Sequence, residues 1–465
     1  MAPVPVNLLR IETQSDNAPE LLARLRSRLS LRGDLVTPAS RERTREIFGQ
    51  ELTPQQVVER ICQDVAQRGL EAVLEYTRRI DGVELTAQTV RVPIDELQEA
   101  HRQEVQALTG GECTFLAVVR RIRRRIERFQ RAILHQDVRV PVEGGWLEHR
   151  YRPIRRVGIC VPGGAAAYPS TLLMTAVPAQ VAGVEEIAVL LPPTRFGAFH
   201  PQVLATCWEL GLQEVYRLGG AQGVAALAYG TEGIPKVDKI VGPGNLFVTL
   251  AKKFVFGEVA IDSLAGPSEI VVVVDHSAPA QYTAMDLLAQ AEHAPGASIL
   301  ISWQSEVLER TLEAVAEALD RLDRGQLARE SLEAFGAAIR VRDPQEAAEL
   351  VDWIAPEHLQ LAVEDPKPLL ERIRYAGAIF VGHQTPVAVG DYAAGPSHVL
   401  PTSGTARFAS GLSANDFLRA GSVLCFQKEG LEELAPDIIQ LATVEGLSAH
   451  RASVEIRLGK QTPTL

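Results

Sequence analysis

Cysteine is scarce and scattered. The 465 residues hold 5 cysteines, Cys62, Cys113, Cys160, Cys207 and Cys425, with no Cys-x-x-Cys pair among them. An odd, dispersed set excludes a disulfide framework and reads as reduced thiols in a cytoplasmic protein. The first residues lack a basic-then-apolar signal segment, and no apolar run reaches the roughly 18 residues a membrane span needs. Positive charge is in deficit: Lys+Arg total 47 against Asp+Glu 58, a net charge of -11. That balance argues against a general nucleic-acid binder and suits a small polar or cationic ligand. The basic run Arg120-Arg121-Ile122-Arg123-Arg124-Arg125 is no exception, because Val119, Ile122, Ile126 and Phe129 form an apolar stripe at helical spacing. The arginines are then its solvated face. A Gly-x-Gly-x-x-Gly dinucleotide fingerprint is also missing.

What is present is an ordinary globular composition, 46% hydrophobic, in a chain long enough for two or three domains. Thr53-Pro54 predicts an N-cap with a first-turn proline, and the stretch from there to about 150 reads as mostly helical. A strand, glycine turn and helix rhythm follows, with strands at Val157–Val161, Ile187–Leu191, Val215–Leu218 and Val237–Val241. A second series has strands at Ile270–Val274, Ile299–Ile301, Ala338–Val341 and Ala378–Val381. Both patterns predict parallel sheets covered by helices. After about 412 the remainder reads as helices with a short extended piece at the end, too little to bury its own core.

The expected architecture is therefore α/β, with two Rossmann-like parallel-sheet domains and helical extensions at both termini. Residues 1–55 form the N-terminal helical extension, and 56–159 with 270–412 the first α/β domain. Residues 160–269 are an inserted second, NAD-side domain, and 413–465 a C-terminal tail that packs on a partner subunit.

Three glycine turns, Pro162-Gly163-Gly164, Gly219-Gly220-Ala221-Gln222 and Gly242-Pro243-Gly244-Asn245, follow strands, at the edge where open α/β sheets bind ligands. Together they suggest a nucleotide site of unusual form. Gln290 and His293, three apart on an expected helix, would face the same way and could hold half of a tetrahedral metal site. Asp391 follows an apolar strand and a loop, a common place for a functional carboxylate, although an Asp after Gly is more often a turn or cap. His450 taken alone reads as an ordinary histidine. The adjacent Glu357 and His358, flanked by apolar residues, suggest a partly buried acid/base pair. Neighbours in a regular strand point to opposite faces, so sharing one site needs an irregular backbone there. Pro356 supplies a reason for it.

The segment IDSLAGPSEIVVVVDHSAPAQYTAMDLLAQAEH, from Ile261 to His293, resembles the signature of the histidinol dehydrogenase family. So do Arg156-Val157-Gly158, the three glycine turns, Ala355-Pro356-Glu357-His358-Leu359, Gly390-Asp391-Tyr392 and Leu400-Pro401-Thr402. The likeness runs from about residue 50 to 457 with motifs in family order. It implies oxidation of L-histidinol to L-histidine through histidinal in a homodimer, with NAD as co-substrate and one zinc per site. Gln290, His293, Asp391 and His450 would be the zinc ligands, and they would also touch substrate. Glu357 would activate water and His358 would be the general base. Ser268 and Glu445 would join the substrate contacts, while Cys160, Gln222 and Asn245 would line the NAD side. His450 and Glu445 would complete the neighbouring subunit's site. Cys160 departs from the tyrosine common at its position, and Ser397 from an asparagine, leaving its neighbour His398 near the site without a role. Three other readings remain: a zinc-dependent hydrolase with Glu357 as base, a dehydrogenase of the same family acting on another amino alcohol or polyol, and a non-catalytic metal-binding or regulatory paralogue.

Overall fold

The computed structural model describes residues 4–29, 38–106, 114–164, 166–293 and 296–459. Cys113 lies outside them. In chain order the strands are β1 (Leu9–Glu12), β2 (Val138–Val142), β3 (Gly145–Pro153), β4 (Arg156–Cys160), β5 (Glu186–Leu190), β6 (Glu214–Tyr216) and β7 (Lys239–Val241). They continue as β8 (Ala260–Ile261), β9 (Ser268–Val274), β10 (Gly296–Ser302), β11 (Ala337–Arg340), β12 (His358–Ala362), β13 (Ala378–Val381) and β14 (Leu418–Phe426).

Two all-parallel sheets dominate, a five-stranded one in the order β6-β5-β4-β7-β8 and a six-stranded one in the order β1-β11-β10-β9-β12-β13. Each is buried on both faces, as βαβ crossovers require. In β9 the run Ile270–Val274 alternates between two cores. Val271 and Val273 pack with Ile299, Ile339 and Val351 on one face. Val272 and Val274 pack with Leu287, Leu288 and Leu300 on the other. In β4, Val157 and Ile159 enter one core and Cys160 the opposite one.

The leading helices cover the five-stranded sheet, where the sequence assigned them to the sheet of residues 270–412. Pro54–Arg68 and Leu70–Asp81 pack against the helices Gly220–Tyr229 and Leu246–Val255. Ile94–Gln106 packs on Pro201–Glu209, and Phe115–Ile133 on Pro169–Ala182. The strand at 156–160 lies at the centre of that same sheet. The Thr53 cap forms a full capping box with Gln56, and Val119 and Ile126 are buried under the arginine-rich face. Residues 1–55 are not purely helical, because β1 pairs with β11 and extends the six-stranded sheet.

Two further differences concern the third sheet. Residues 138–153 form a hairpin rather than a helix, and β14 pairs antiparallel with β3 along its whole length. The tail thus begins with a strand and ends in helices, Lys428–Val444 and Ser448–Arg457, the reverse of the expected order. Among the described residues no helix is long and apolar enough to cross a membrane.

Candidate active site

β9 and β12 are neighbours, with His358 registered against Ile270. Their amino ends carry most of the chemistry. The helix Pro344–Ile354 stops at Ala355, whose left-handed backbone (φ 52°) turns the chain so that Glu357 meets the start of β12. There the irregular backbone expected around Pro356 brings Glu357 and His358 to one place. The Glu357 Oε2 accepts the Ser268 hydroxyl at 2.5 Å and the Glu269 N–H at 2.9 Å. His358 Nδ1 lies 3.3 Å from the Glu269 carbonyl and 3.6 Å from Glu357 Oε2. Its Nε2 faces Asp391 Oδ1 at 3.5 Å, an ion-pair separation that leaves the nitrogen without a well-formed hydrogen bond. Both members of the pair are buried. Burial alone would lower the His358 imidazole, but the Glu357 and Asp391 carboxylates push it up to about 9.

Asp391 sits on the short helix Ala388–Tyr392. Burial opposes its charge, yet His358 beside it and His398 and His293 nearby hold it below the usual carboxylate range. His398 places Nδ1 2.9 Å from the Asp391 carbonyl and Nε2 3.4 Å from the Thr171 hydroxyl. It therefore links this segment to the helix Pro169–Ala182. Burial keeps its imidazole below the ordinary value. A cavity of about 460 Å³ opens here, lined by His358, Ile379, Asp391, His398 and, from the other sheet's helices, Phe129.

The remaining expected ligands divide into two groups. Gln290 is buried in the last turn of the helix Ala280–Ala291, and its amide nitrogen has no partner. His293 lies beyond the helix end, exposed, with its N–H donating to the Gln290 carbonyl at 3.2 Å. The two are therefore joined by a turn rather than stacked on one helical face. Among the described residues no three His, Cys, Asp or Glu side chains cluster as a metal site. His450 and Glu445 lie in the tail, on and just before the helix Ser448–Arg457, both exposed. That helix packs on its neighbour Lys428–Val444, so this chain's own tail does not bring them to Asp391.

The glycine turns line the carboxyl edge of the five-stranded sheet. Gly242 (φ +102°) presses so closely on the Cys160 carbonyl that a Cβ would stand 2.2 Å from it. Cys160 itself is buried, and burial pushes its thiol up to about 12. Gln222 is buried too, donating to Asp81 at 3.0 Å. Asn245 is exposed at the edge and caps the following helix through Val248 N–H. Residues 262–267 run from the end of β8 to the start of β9, so a short strap joins the carboxyl edge of one sheet to the amino edge of the other. The strap is pinned by Thr249 to the Ala265 carbonyl at 2.8 Å and by Gly266 N–H to Thr402 at 2.6 Å. Sequence reasoning passed over Glu269, a buried carboxyl at the centre of the site. An acid placed directly before a five-residue apolar strand was the available signal.

A family model described as histidinol dehydrogenase matches residues 45–458. This chain belongs to the histidinol dehydrogenase family. It is 57% identical over 447 residues to a histidinol dehydrogenase of Rhodopirellula baltica, covering 96% of each chain. With that of Syntrophotalea carbinolica it shares 47% over 406 residues, 87% of this chain and 92% of the relative. The crystal structure of histidinol dehydrogenase from Elizabethkingia anophelis superposes with a TM-score of 0.82 at 34% identity, covering 91% of this chain and 96% of that one. The family is one of oxidoreductases, and the expected α/β class with parallel sheets is the fold observed.

Proposed function

We propose that the chain oxidises L-histidinol to L-histidine through L-histidinal in histidine biosynthesis, reducing two NAD per substrate with one zinc per site. The observation that carries this reading is the buried Glu357–His358 pair, held by Ser268 and Glu269 and facing Asp391. The residues fit a zinc ion in chemistry. Gln290 offers a buried amide without a partner, His293 and Asp391 lie within electrostatic reach of each other, and nitrogen and oxygen donors are what zinc takes. Gln290, His293 and Asp391 would hold it, with His450 from a second copy as the fourth ligand. The bound ion would fix the substrate's amino and imidazole nitrogens.

The rest is done by this chain's own groups. In the neutral His358 imidazole, which gains as pH rises toward the raised value of about 9, the Glu269 carbonyl near Nδ1 can only accept, so it favours a proton on Nδ1 and a lone pair on Nε2. His358 Nε2 takes the alcohol proton as hydride leaves for NAD. Glu357 takes a proton from the water that adds to the aldehyde, and His358 acts again in the second oxidation. Asn245, with Gln222 and Cys160 behind the turns, shapes the NAD side. Ser268, and Glu445 from the second copy, touch substrate. The assembly is a homodimer with shared sites, working in the cytoplasm. NADH counted per histidinol consumed, with zinc-replete protein, tests the reading: two is expected. One would mean a simple alcohol oxidation, and none a hydrolase.

A further inference from the structure

We propose that Glu269 is the positioning residue of the catalytic pair: its peptide groups hold Glu357 and His358, and its side chain holds those peptides by gripping the turn at Ser403-Gly404. The proposal rests on the reading of Glu357 and His358 given above. Glu269 contacts the side chains of both through its main chain, donating to Glu357 Oε2 at 2.9 Å and offering its carbonyl to His358 Nδ1 at 3.3 Å. Those contacts orient the water-activating carboxylate and set which imidazole nitrogen is the base.

The side chain reaches the Glu357 main chain on one side and a second turn on the other. It is 1% exposed. Its Oε1 accepts the Ser403 N–H at 3.1 Å, and the carboxyl also lies against the Gly404 and Glu357 N–H groups. Ser403 stands at φ 56°, a left-handed conformation that side chains rarely adopt and that surrounding contacts must hold. The preceding Thr402 takes the Gly266 N–H at 2.6 Å. One turn thus clasps the strand start at two points three residues apart, through Thr402 and through Glu269. Burial, then the neighbouring Glu357, pushes the Glu269 carboxyl up to about 8. A neutral acid can accept these amides without setting a second negative charge beside Glu357. A neutral amide of the same length can do the same.

The test compares Glu269→Gln, Glu269→Asp and Glu269→Ala in the full, zinc-loaded chain, with kcat and KM measured separately for histidinol and histidinal. Gln reaches the turn and should keep turnover. Ala does not, and should lose about 10–100-fold in kcat on both substrates, the usual cost of removing an outer orienting partner, with KM little changed. Asp is too short to reach Ser403 and should fall with Ala, so it takes Ala's place if that variant does not fold. A folded Ala or Asp variant with wild-type kcat would overturn the proposal. So would a loss confined to KM, or a Gln variant as poor as Ala. His358→Asn run alongside separates the two readings. If it keeps turnover, the assignment of the pair is wrong, whereas a dead His358→Asn beside an active Glu269→Ala removes only the role of Glu269.

Discussion

The two parallel sheets share one strand order and use opposite edges. In each, the first strand of the series is central, the next two step to one side and the last two to the other, about β4 in one and β9 in the other. Such a reversal leaves a crevice at the carboxyl ends of the central strands. The five-stranded sheet places its glycine turns there. In the six-stranded sheet that edge is tied up in hydrogen bonds among its own residues. Asp275 takes the Ser277 N–H at 2.9 Å and hydroxyl at 2.5 Å and the Glu364 N–H at 3.0 Å. Arg310 spans the carbonyls of His276 at 2.8 Å and Ala278 at 2.9 Å. The reactive groups sit at the opposite edge, before β9 and β12. Topology thus offers a crevice, and the residues lining it decide how it is used.

The contrast can be broken at either edge. The largest effect is expected at the amino edge of the six-stranded sheet: His358→Ala should lose about 10²–10⁴-fold in kcat with histidinol, read by NADH absorbance, with little change in melting temperature. Next, Glu357→Gln should stall after the first oxidation, so that NADH per histidinol falls from two toward one and aldehyde is trapped by a carbonyl reagent. Equal loss of both half-reactions would end that division of labour. On the other sheet, Gly242→Ala must accommodate a Cβ against Cys160 at positive φ. It should cost about 1–3 kcal/mol in denaturant unfolding and raise KM for NAD more than for histidinol.

The smallest effect belongs to the hydrogen-bonded edge. Asp275→Asn should leave kcat unchanged and cost about 1 kcal/mol of stability at neutral pH. Burial opposes the Asp275 charge, but the Ser277 hydroxyl and the Glu364 and Ser277 amides hold its carboxyl below the ordinary 3.8. A carboxyl lowered in the folded state stabilises above its unfolded pKa and loses that contribution as pH falls through the folded one. The gap between wild type and Asp275→Asn should therefore shrink as pH falls below the ordinary carboxylate range, as urea midpoints would show. A drop in activity for this variant would mean that the edge serves the reaction after all.

Much of the scaffold could be read from residue patterns because burial imposes them. The valine run of β9, the Thr53-Pro54 cap and the stripe under Arg120–Arg125 each follow from local physics. The third sheet could not be read that way. β2 is almost wholly exposed, so no contrast between faces marks it, and β3 finds β14 only because segments far apart in sequence meet. β12 escaped because a short strand opening on His358 resembles an irregular loop after Pro356. In the site, Glu357 and His358 stand out as polar groups among apolar neighbours, while Asp391 is marked only by its place after a strand and loop. Glu269 does not stand out, since its importance lies in main-chain bonds that any residue could make, and in a grip on Ser403 that spans most of the chain's second half.

The strap of residues 262–267 has a mechanical consequence. Seven peptide steps can reach at most roughly 25 Å, and two hydrogen bonds already tie this stretch down. Ile261 and Ser268 are thus on a short leash, which keeps the end of β8 close to the reacting groups at the start of β9. The chain itself therefore limits how far the glycine turns of one sheet can stand from the catalytic pair of the other.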